Sequence, residues 1–549
     1  MILLLLLLAM CLAAAGLAWR MFAQNRGEPM ENRVALAAAP LLVALVVLLV
    51  ARAVISTPGR DWNACRVAPS VALFQGYKLY YGPDDGPILN TLYAPMTAVV
   101  FTPAALGTDP TAAILIAGTI NAALVVLPMF LLLWLSPLGG PRDSLSNSLR
   151  WLAFVFAAGA VFEFSGTDYI LSSIHADAPA IGFTLLACLV LMRTPGEPSN
   201  TQLALAALLA AMACWSKQIE VFALPGMFFF VGFAFSWRSA FVFAVMVGIF
   251  GVVLLAAFSG LFGFDAMWFN IVTLPGRHPW IGSKGPALVK SFVKLALGAA
   301  FVGLVIAPFV LGAGDTARRS LADLRSTLAS RRWLLLVFVA VTMLPGSLMG
   351  QVKIGGFVNS YHSGAYLIAA AALALLQWAA MTDEGTRRSR LTSVFVLSAF
   401  AIGLGLPRLP DLAGARGLWN NPQQEAYEFA RAHPGQVFLP WNSLSSLYAD
   451  RKLHHFEYGV YDRVIGGHAP TEEHVRKFVP ADMQYLVFRA ARECFQLPRY
   501  LKEFSEVTHV ARLKDPLQPI PPVTHDPNEP PELADAGLGG WLVYRKPAK

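Results

Sequence analysis

Two carboxylates and a few cations of this sequence stand where apolar runs end, and those are the positions from which chemistry at a membrane surface could be done. Asp61 lies about six residues beyond an apolar segment, in Gly59-Arg60-Asp61-Trp62. A carboxylate held there by a rigid element can take a proton from an acceptor hydroxyl or bind a divalent cation, and both uses require a fixed position. A solvated loop aspartate is the plain alternative. Asp177 stands in Ser173-Ile174-His175-Ala176-Asp177-Ala178-Pro179, at the expected start of a helix. The macrodipole favours an anion at that end, so simple capping also accounts for it, and His175 can equally be a polar loop residue. Lys217, in Trp215-Ser216-Lys217-Gln218, separates two apolar runs and can either pair with a phosphate or snorkel to headgroups. Arg277-His278, Lys284, and Lys353 with the nearby Asn359 and Tyr361-His362 complete the set; a leaving phosphate builds charge that such groups would neutralise.

The elements that must position these residues are membrane helices. Of 549 residues 56% are hydrophobic and 14% charged, and the mean hydropathy is +0.55, far from the roughly one-quarter charged residues of a soluble protein. Apolar segments fall at 2–19, 34–55, 112–136, 150–165, 178–193, 202–216, 219–236, 239–263, 289–312, 332–350, 362–382 and 391–408, about 12 in all. The first of them has no positive residue before its leucines, which favours a retained helix over a signal peptide. A further apolar stretch, 94–106, is too short to cross about 30 Å of hydrocarbon at about 1.5 Å per residue and is expected to be re-entrant or interfacial.

Orientation follows from the arginines. Arg20, Arg26 and Arg33 share one loop, Arg318, Arg319, Arg325, Arg331 and Arg332 another, and Arg387, Arg388 and Arg390 a third. With 94–106 not counted as a span, all of these, and Arg142, Arg193 and Arg238, fall on the cytoplasmic side. Loops 56–111, 166–177, 264–288 and 351–361 are then outside, with everything after about 409. The net charge of +8 is thereby explained by loop arginines rather than by a basic face for nucleic acid. The five cysteines show no metal-ligand spacing; Cys65 and Cys494 share the outer side, where a bridge could persist.

The C-terminal segment is polar. Asn421-Pro422 opens a helix that Pro434-Gly435 ends, and short apolar runs at Gln436–Leu439, Gln484–Phe488, Val507–Leu513 and Trp541–Tyr544 read as strands. The expectation is a polytopic α-helical membrane protein of about 12 transmembrane helices plus a re-entrant or interfacial helix, residues 1–408, followed by a soluble extracytoplasmic α/β domain, residues 409–549.

Several motifs in order carry a resemblance: Asp61 in the first outer loop, Gly76-Tyr77-Lys78-Leu79-Tyr80, the Tyr93-Ala94-Pro95 turn, Asp177-Ala178-Pro179 opening a helix, and Ser216-Lys217 before another. Over residues 34–382 this arrangement resembles the GT-C superfamily of integral-membrane glycosyltransferases, which transfer mannose, aminoarabinose and other sugars from polyprenyl-phosphate donors. The resemblance implies Asp61 as general base or metal ligand, Asp177 as the second acidic residue, and Lys217, Arg277 and His278 as donor-phosphate contacts. Arg60, Tyr77, Lys78, Tyr93, His175 and Asn359 would contact substrate. Because the first loop carries Arg60-Asp61 rather than two acids, a two-carboxylate metal site in that loop alone is not supported; a divalent cation such as Mg or Mn elsewhere stays open.

The function expected is therefore inverting sugar transfer at the outer leaflet of the inner membrane, from a polyprenyl-phosphate sugar to a glycan, lipid or protein acceptor. The absence of a nucleotide-binding glycine loop agrees with a lipid donor. A polytopic transporter or lipid flippase is the main rival, although such proteins place ionisable groups at mid-membrane and often show related halves. A non-catalytic scaffold carrying a soluble domain is the other.

Overall fold

The computed structural model describes residues 2–27, 30–135, 169–193, 196–286, 289–290, 293, 321–354, 356, 358–381, 421–489, 496–497, 500–501 and 541–545. Wherever an expected apolar segment falls within these residues it is helical: α1 (Ile2–Gln24), α2 (Met30–Ile55), α5 (Pro110–Leu135), α6 (Asp177–Met192), α7 (Asn200–Cys214), α8 (Ala223–Ala234), α9 (Trp237–Phe262), α10 (Leu334–Val352) and α11 (His362–Met381). Between α2 and α5 lie α3 (Asp61–Leu73) and the single turn α4 (Met96–Val100). The segments 150–165 and 391–408, and most of 289–312, lie outside the described residues. Three described helices are long and apolar enough to cross a membrane, Pro110–Leu132, Trp237–Phe262 and Leu334–Val352, so the chain is a polytopic helical membrane protein.

The helices pack through small residues. Ala206, Ala207 and Ala210 of α7 are buried in the same core as Ile181, Leu185 and Cys188 of α6, and Met227 and Phe230 of α8 share it with Leu335, Val339 and Met343 of α10. Such small faces let backbones approach where lipid provides no hydrophobic drive between helices. A Cβ built on Gly226 would stand 2.6 Å from the Cα of Val339, so only glycine permits this crossing of α8 and α10. α7 begins where its sequence says it should: Ser199 accepts from the Gln202 amide, and Gln202 reaches back to the Ser199 amide at 3.0 Å.

The stretch 94–106 does not span. It forms α4 and a 3-10 turn, Thr102–Leu106, and is stapled to the break after α7: the Met96 amide donates to Trp215 O at 3.1 Å and Thr97 Oγ1 to Ser216 O at 2.8 Å.

The C-terminal part contains α12 (Pro422–Ala432), β1 (Val437–Phe438), α13 (Ser443–Asp450), α14 (Glu457–Ile465), α15 (Glu472–Lys477), β2 (Tyr485–Arg489) and β3 (Trp541–Arg545). Three of the strands expected from sequence coincide with β1, β2 and β3, while Val507–Leu513 lies outside the described residues. The sheet order is β1-β2-β3, with β1 parallel to β2 and β3 antiparallel to it, in the register Val487 opposite Val543. This part rests on the loops that precede α5. Tyr448 donates to Gly107 O at 2.8 Å, Gln423 to Pro58 O at 3.1 Å, and the Phe456 amide to Ile88 O at 2.8 Å. Cys65 is buried with its Sγ 3.0 Å from Trp62 O; Cys494 lies outside the described residues.

Candidate active site

Three chain breaks converge at one end of the bundle. α6 starts at Asp177, a 3-10 turn (Gln218–Phe222) separates α7 from α8 and leaves Lys217 extended at its N-cap, and a second 3-10 turn (Val358–Tyr361) precedes α11. Lys217 Nζ donates to Asp177 Oδ1 in a close ion pair and lies 3.4 Å from Asn359 O, while Asn359 Nδ2 donates to Asp177 Oδ2 at 3.3 Å. His175 Nδ1 is 2.5 Å from Asp177 Oδ2, and His362 Nδ1 is 3.9 Å from the same oxygen. All five residues are buried, Asp177 to 2% exposure. A buried carboxylate is tolerated at this density because an ammonium, an amide, an imidazole and a helix N-terminus all face it. Burial, only partly offset by Asp177, pushes the His175 imidazole down to about 4, so the ring is neutral at neutral pH.

Beside this cluster opens a cavity whose lining includes Arg66, Tyr80, Asn90, Tyr93, Thr97 and His175. The Tyr93 ring meets His175 edge-on at 4.7 Å, and Tyr80 donates to Tyr93 O at 2.6 Å, which fixes the turn. Arg66, on α3, donates to Ser173 Oγ at 3.3 Å and lies over the Trp62 ring at 5.2 Å. Asn63 clamps α3 to the segment before Asp177: its Nδ2 donates to Ser172 O and its Oδ1 accepts from the Ile174 amide, both at 2.9 Å. Gln218, next to Lys217, bridges Leu92 O at 2.9 Å and Ile271 O at 3.1 Å, so the 264–288 loop is tied to the same junction.

Of the residues singled out from sequence, Asp177, Lys217, His175, Asn359 and Tyr93 are brought together. Asp61 is the first residue of α3, after Arg60 as its N-cap; the Asp61 side chain lies outside the described part of the structure. His362 joins the cluster, whereas Tyr77, Lys78, Arg277 and His278 bond elsewhere. Tyr77 Oη donates to Arg451 O and accepts from the Leu453 amide, both at 3.1 Å, and Lys78 is exposed with Asp85 at 3.9 Å. Exposed Arg277 meets His468 Nε2 at 2.7 Å, and buried His278 lies 3.2 Å from Asp462 O. Arg66 and Asn63 were not singled out in the sequence; their signal was only their place five and two residues beyond Asp61 on one short helix. No group of three or more metal-ligating side chains occurs among the described residues.

A polytopic helical bundle whose C-terminal part docks on the loops that precede α5 is the fold this chain shares with solved structures of the GT-C architecture. Of solved structures, ArnT from Cupriavidus metallidurans bound to undecaprenyl phosphate is similar at a TM-score of 0.50 and 12% identity, over 86% of this chain and 96% of that one. The apo state of ArnT gives 0.47 and 14%, over 87% and 97%. The archaeal oligosaccharyltransferase AglB from Archaeoglobus fulgidus, in complex with an inhibitory peptide and a dolichol-phosphate, gives 0.39 and 11%, over 82% and 69%. At such identities the likeness is one of fold. No protein-family model and no curated protein matches the chain.

Proposed function

We propose that the chain is an inverting glycosyltransferase that moves a sugar from a polyprenyl-phosphate donor to an acceptor at the outer leaflet of the inner membrane. The observation that carries this reading is the buried Asp177-Lys217 pair at three converging helix breaks, beside a cavity lined by Arg66, Tyr93 and His175. The fold shared with ArnT, whose solved structure holds undecaprenyl phosphate, supports it.

In the proposed reaction Asp61 takes the proton of an acceptor hydroxyl, the acceptor oxygen attacks the anomeric carbon, and the bond from that carbon to the phosphate oxygen breaks with its electron pair. Lys217 neutralises the departing lipid phosphate, and Asp177, with Asn359, holds the ammonium in place until the donor arrives. Preorganisation is the gain, because a lysine on four flexible methylenes loses rotamer entropy each time it must be captured. Arg277 and His278 bear on the donor only indirectly, through the loop that Gln218 ties to the site. Twelve spans, with residues 409–549 as an extracytoplasmic α/β domain over the cavity, complete the reading, and the acceptor is a glycan, lipid or protein.

The test is transfer of radiolabelled polyprenyl-phosphate sugars by purified protein, wild type against Asp61→Asn and Asp177→Asn, with and without chelator. Loss of about 10²-fold or more in each variant is expected from removing a base or an electrostatic anchor. Unchanged turnover in both would remove the assignment, and uphill movement of substrate without covalent product would replace the transferase with a transporter.

A further inference from the structure

The active-site cluster has a second polar layer beneath it that the reaction does not use. Glu220 is fully buried, and both of its oxygens are taken: Thr184 Oγ1 donates to Oε2 at 2.7 Å and Ser363 Oγ to Oε1 in a close contact. Thr184 and Ser363 are themselves buried to 1% and 2%. The three residues come from the same three elements that supply the outer cluster. Thr184 lies seven residues into α6 from Asp177, two turns along one face and about 10 Å deeper. Glu220 lies three residues beyond Lys217 in the 3-10 turn, and Ser363 four beyond Asn359 and next to His362.

A carboxylate inside a helical bundle is costly, and apolar packing of the same volume would hold the helices together as well or better. Apolar contacts, however, are non-directional and leave neighbouring helices able to slide or rotate by fractions of a turn. Two hydrogen bonds from one carboxylate to two other helices specify a single register. Register is what the outer cluster needs, since a rotation of α6 or of the 217–222 turn would draw Asp177 and Lys217 apart, and a site of this kind tolerates only about 0.5 Å of misplacement.

We propose that Glu220 is a positioning residue of the transfer site: with Thr184 and Ser363 it clasps the three elements one layer below, and so sets the placement of Lys217 against Asp177 and the donor phosphate. This rests on the transferase reading for its kinetic consequence but not for the clasp itself. With labelled donor, Glu220→Leu is expected to raise the KM for the lipid-phosphate sugar tenfold or more. Glu220→Gln should return it to within threefold of wild type, because an amide can accept from one hydroxyl and donate to the other. Wild-type kinetics in a folded Glu220→Leu protein would overturn the proposal, as would a glutamine variant as impaired as the leucine one. If Glu220→Leu does not fold, Thr184→Val and Ser363→Ala each remove one arm, and an unchanged KM in both overturns it equally.

A double-mutant cycle on unfolding temperature reads the clasp without any turnover. Ser363→Ala and Asp177→Asn alter residues of different layers that share no hydrogen bond, so additive shifts would mean independent layers and would overturn the proposal. A double variant less destabilised than the sum is the expected result. Should the wild type transfer no sugar at all, the transferase reading falls while this cycle still decides the clasp.

Discussion

Two buried polar seams hold this molecule together, and they put charge to different uses. At the bundle end, Asp177 and Lys217 are kept as an ion pair and surrounded by groups that bond to it. Where the C-terminal part meets the loop before α4, burial drives several groups toward neutrality. It pushes His454 down to about 4 and His455 to about 3, lowers His278, and raises the Asp462 carboxyl well above the usual range, against a smaller opposing effect of the Asn90 bond. His455 Nδ1 accepts there from the Ile88 amide at 2.9 Å and Asn90 Nδ2 donates to Asp462 at 3.1 Å, while the buried Arg463 guanidinium spends its charge on the Gly82 and Pro83 carbonyls of the same loop. A site that must meet a phosphate has to keep a charge in store at the cost of desolvation. A seam that only docks two parts needs no charge in reserve: its histidines and Asp462 are driven to neutrality, and the guanidinium it does bury, Arg463, is used up on backbone carbonyls.

The largest effect should come from removing one charge of the charged seam. Lys217→Met leaves Asp177 buried without its cation and is expected to lower stability by about 3–5 kcal/mol, read as thermal unfolding in detergent. Lys217→Met with Asp177→Leu should recover most of that loss, because both desolvation costs go with the pair, while transfer stays abolished. His455→Gln on the neutral seam should cost only about 1–3 kcal/mol, the range for leaving buried partners unsatisfied. Equal losses at the two sites, or no recovery in the double variant, would mean that the seams do not differ in the way described.

Acid should separate the seams next. A histidine whose folded value lies below its unfolded value near 6.5 binds fewer protons when folded, so its contribution is fully present above about pH 6.5 and fades as pH falls toward the folded value. For His455 that window runs from about 6.5 down to about 3. Two amides report it. The Ile88 amide donates to titratable His455, whereas the Ile174 amide donates to Asn63 Oδ1, which does not titrate. Corrected for intrinsic exchange, Ile88 protection should fall by up to about tenfold per pH unit below 6.5, while Ile174 holds. Parallel loss at both amides would show that the whole end of the protein opens together.

The charged seam was legible in the sequence and the neutral one was not, for a physical reason. Asp177 and Lys217 interrupt strongly apolar runs, where any ionisable side chain is conspicuous, and their helix-end positions follow from the hydropathy pattern alone. His362 and Glu220 stood in the same kind of place, but nothing in a single sequence says which helices become neighbours or which faces meet. Docking residues are harder still. Tyr77 was expected as a substrate contact and Arg277 and His278 as donor-phosphate contacts, yet each bonds to a partner about 180 to 380 residues away in the chain, in a part whose packing no local pattern encodes. The helices themselves were readable because about 20 apolar residues have one stable arrangement in lipid. Residues 94–106 were readable for the converse reason, being too short.

Tyr77 provides the smallest effect and the sharpest separation of docking from catalysis. Its hydroxyl bonds both Arg451 O and the Leu453 amide, with a geometry that joins the loop before α4 to the chain after α13. Tyr77→Phe removes those two bonds and keeps the ring, whose packing beside Leu444, Leu447 and Leu453 continues. The expected cost is about 1 kcal/mol of docking, since the Leu453 amide is only partly shielded and water can replace the hydroxyl. That should appear as faster exchange of the Leu453 amide, with KM values for donor and acceptor within about twofold of wild type. A tenfold rise in either KM with normal Leu453 protection would return Tyr77 to the substrate site and break the division between the two seams.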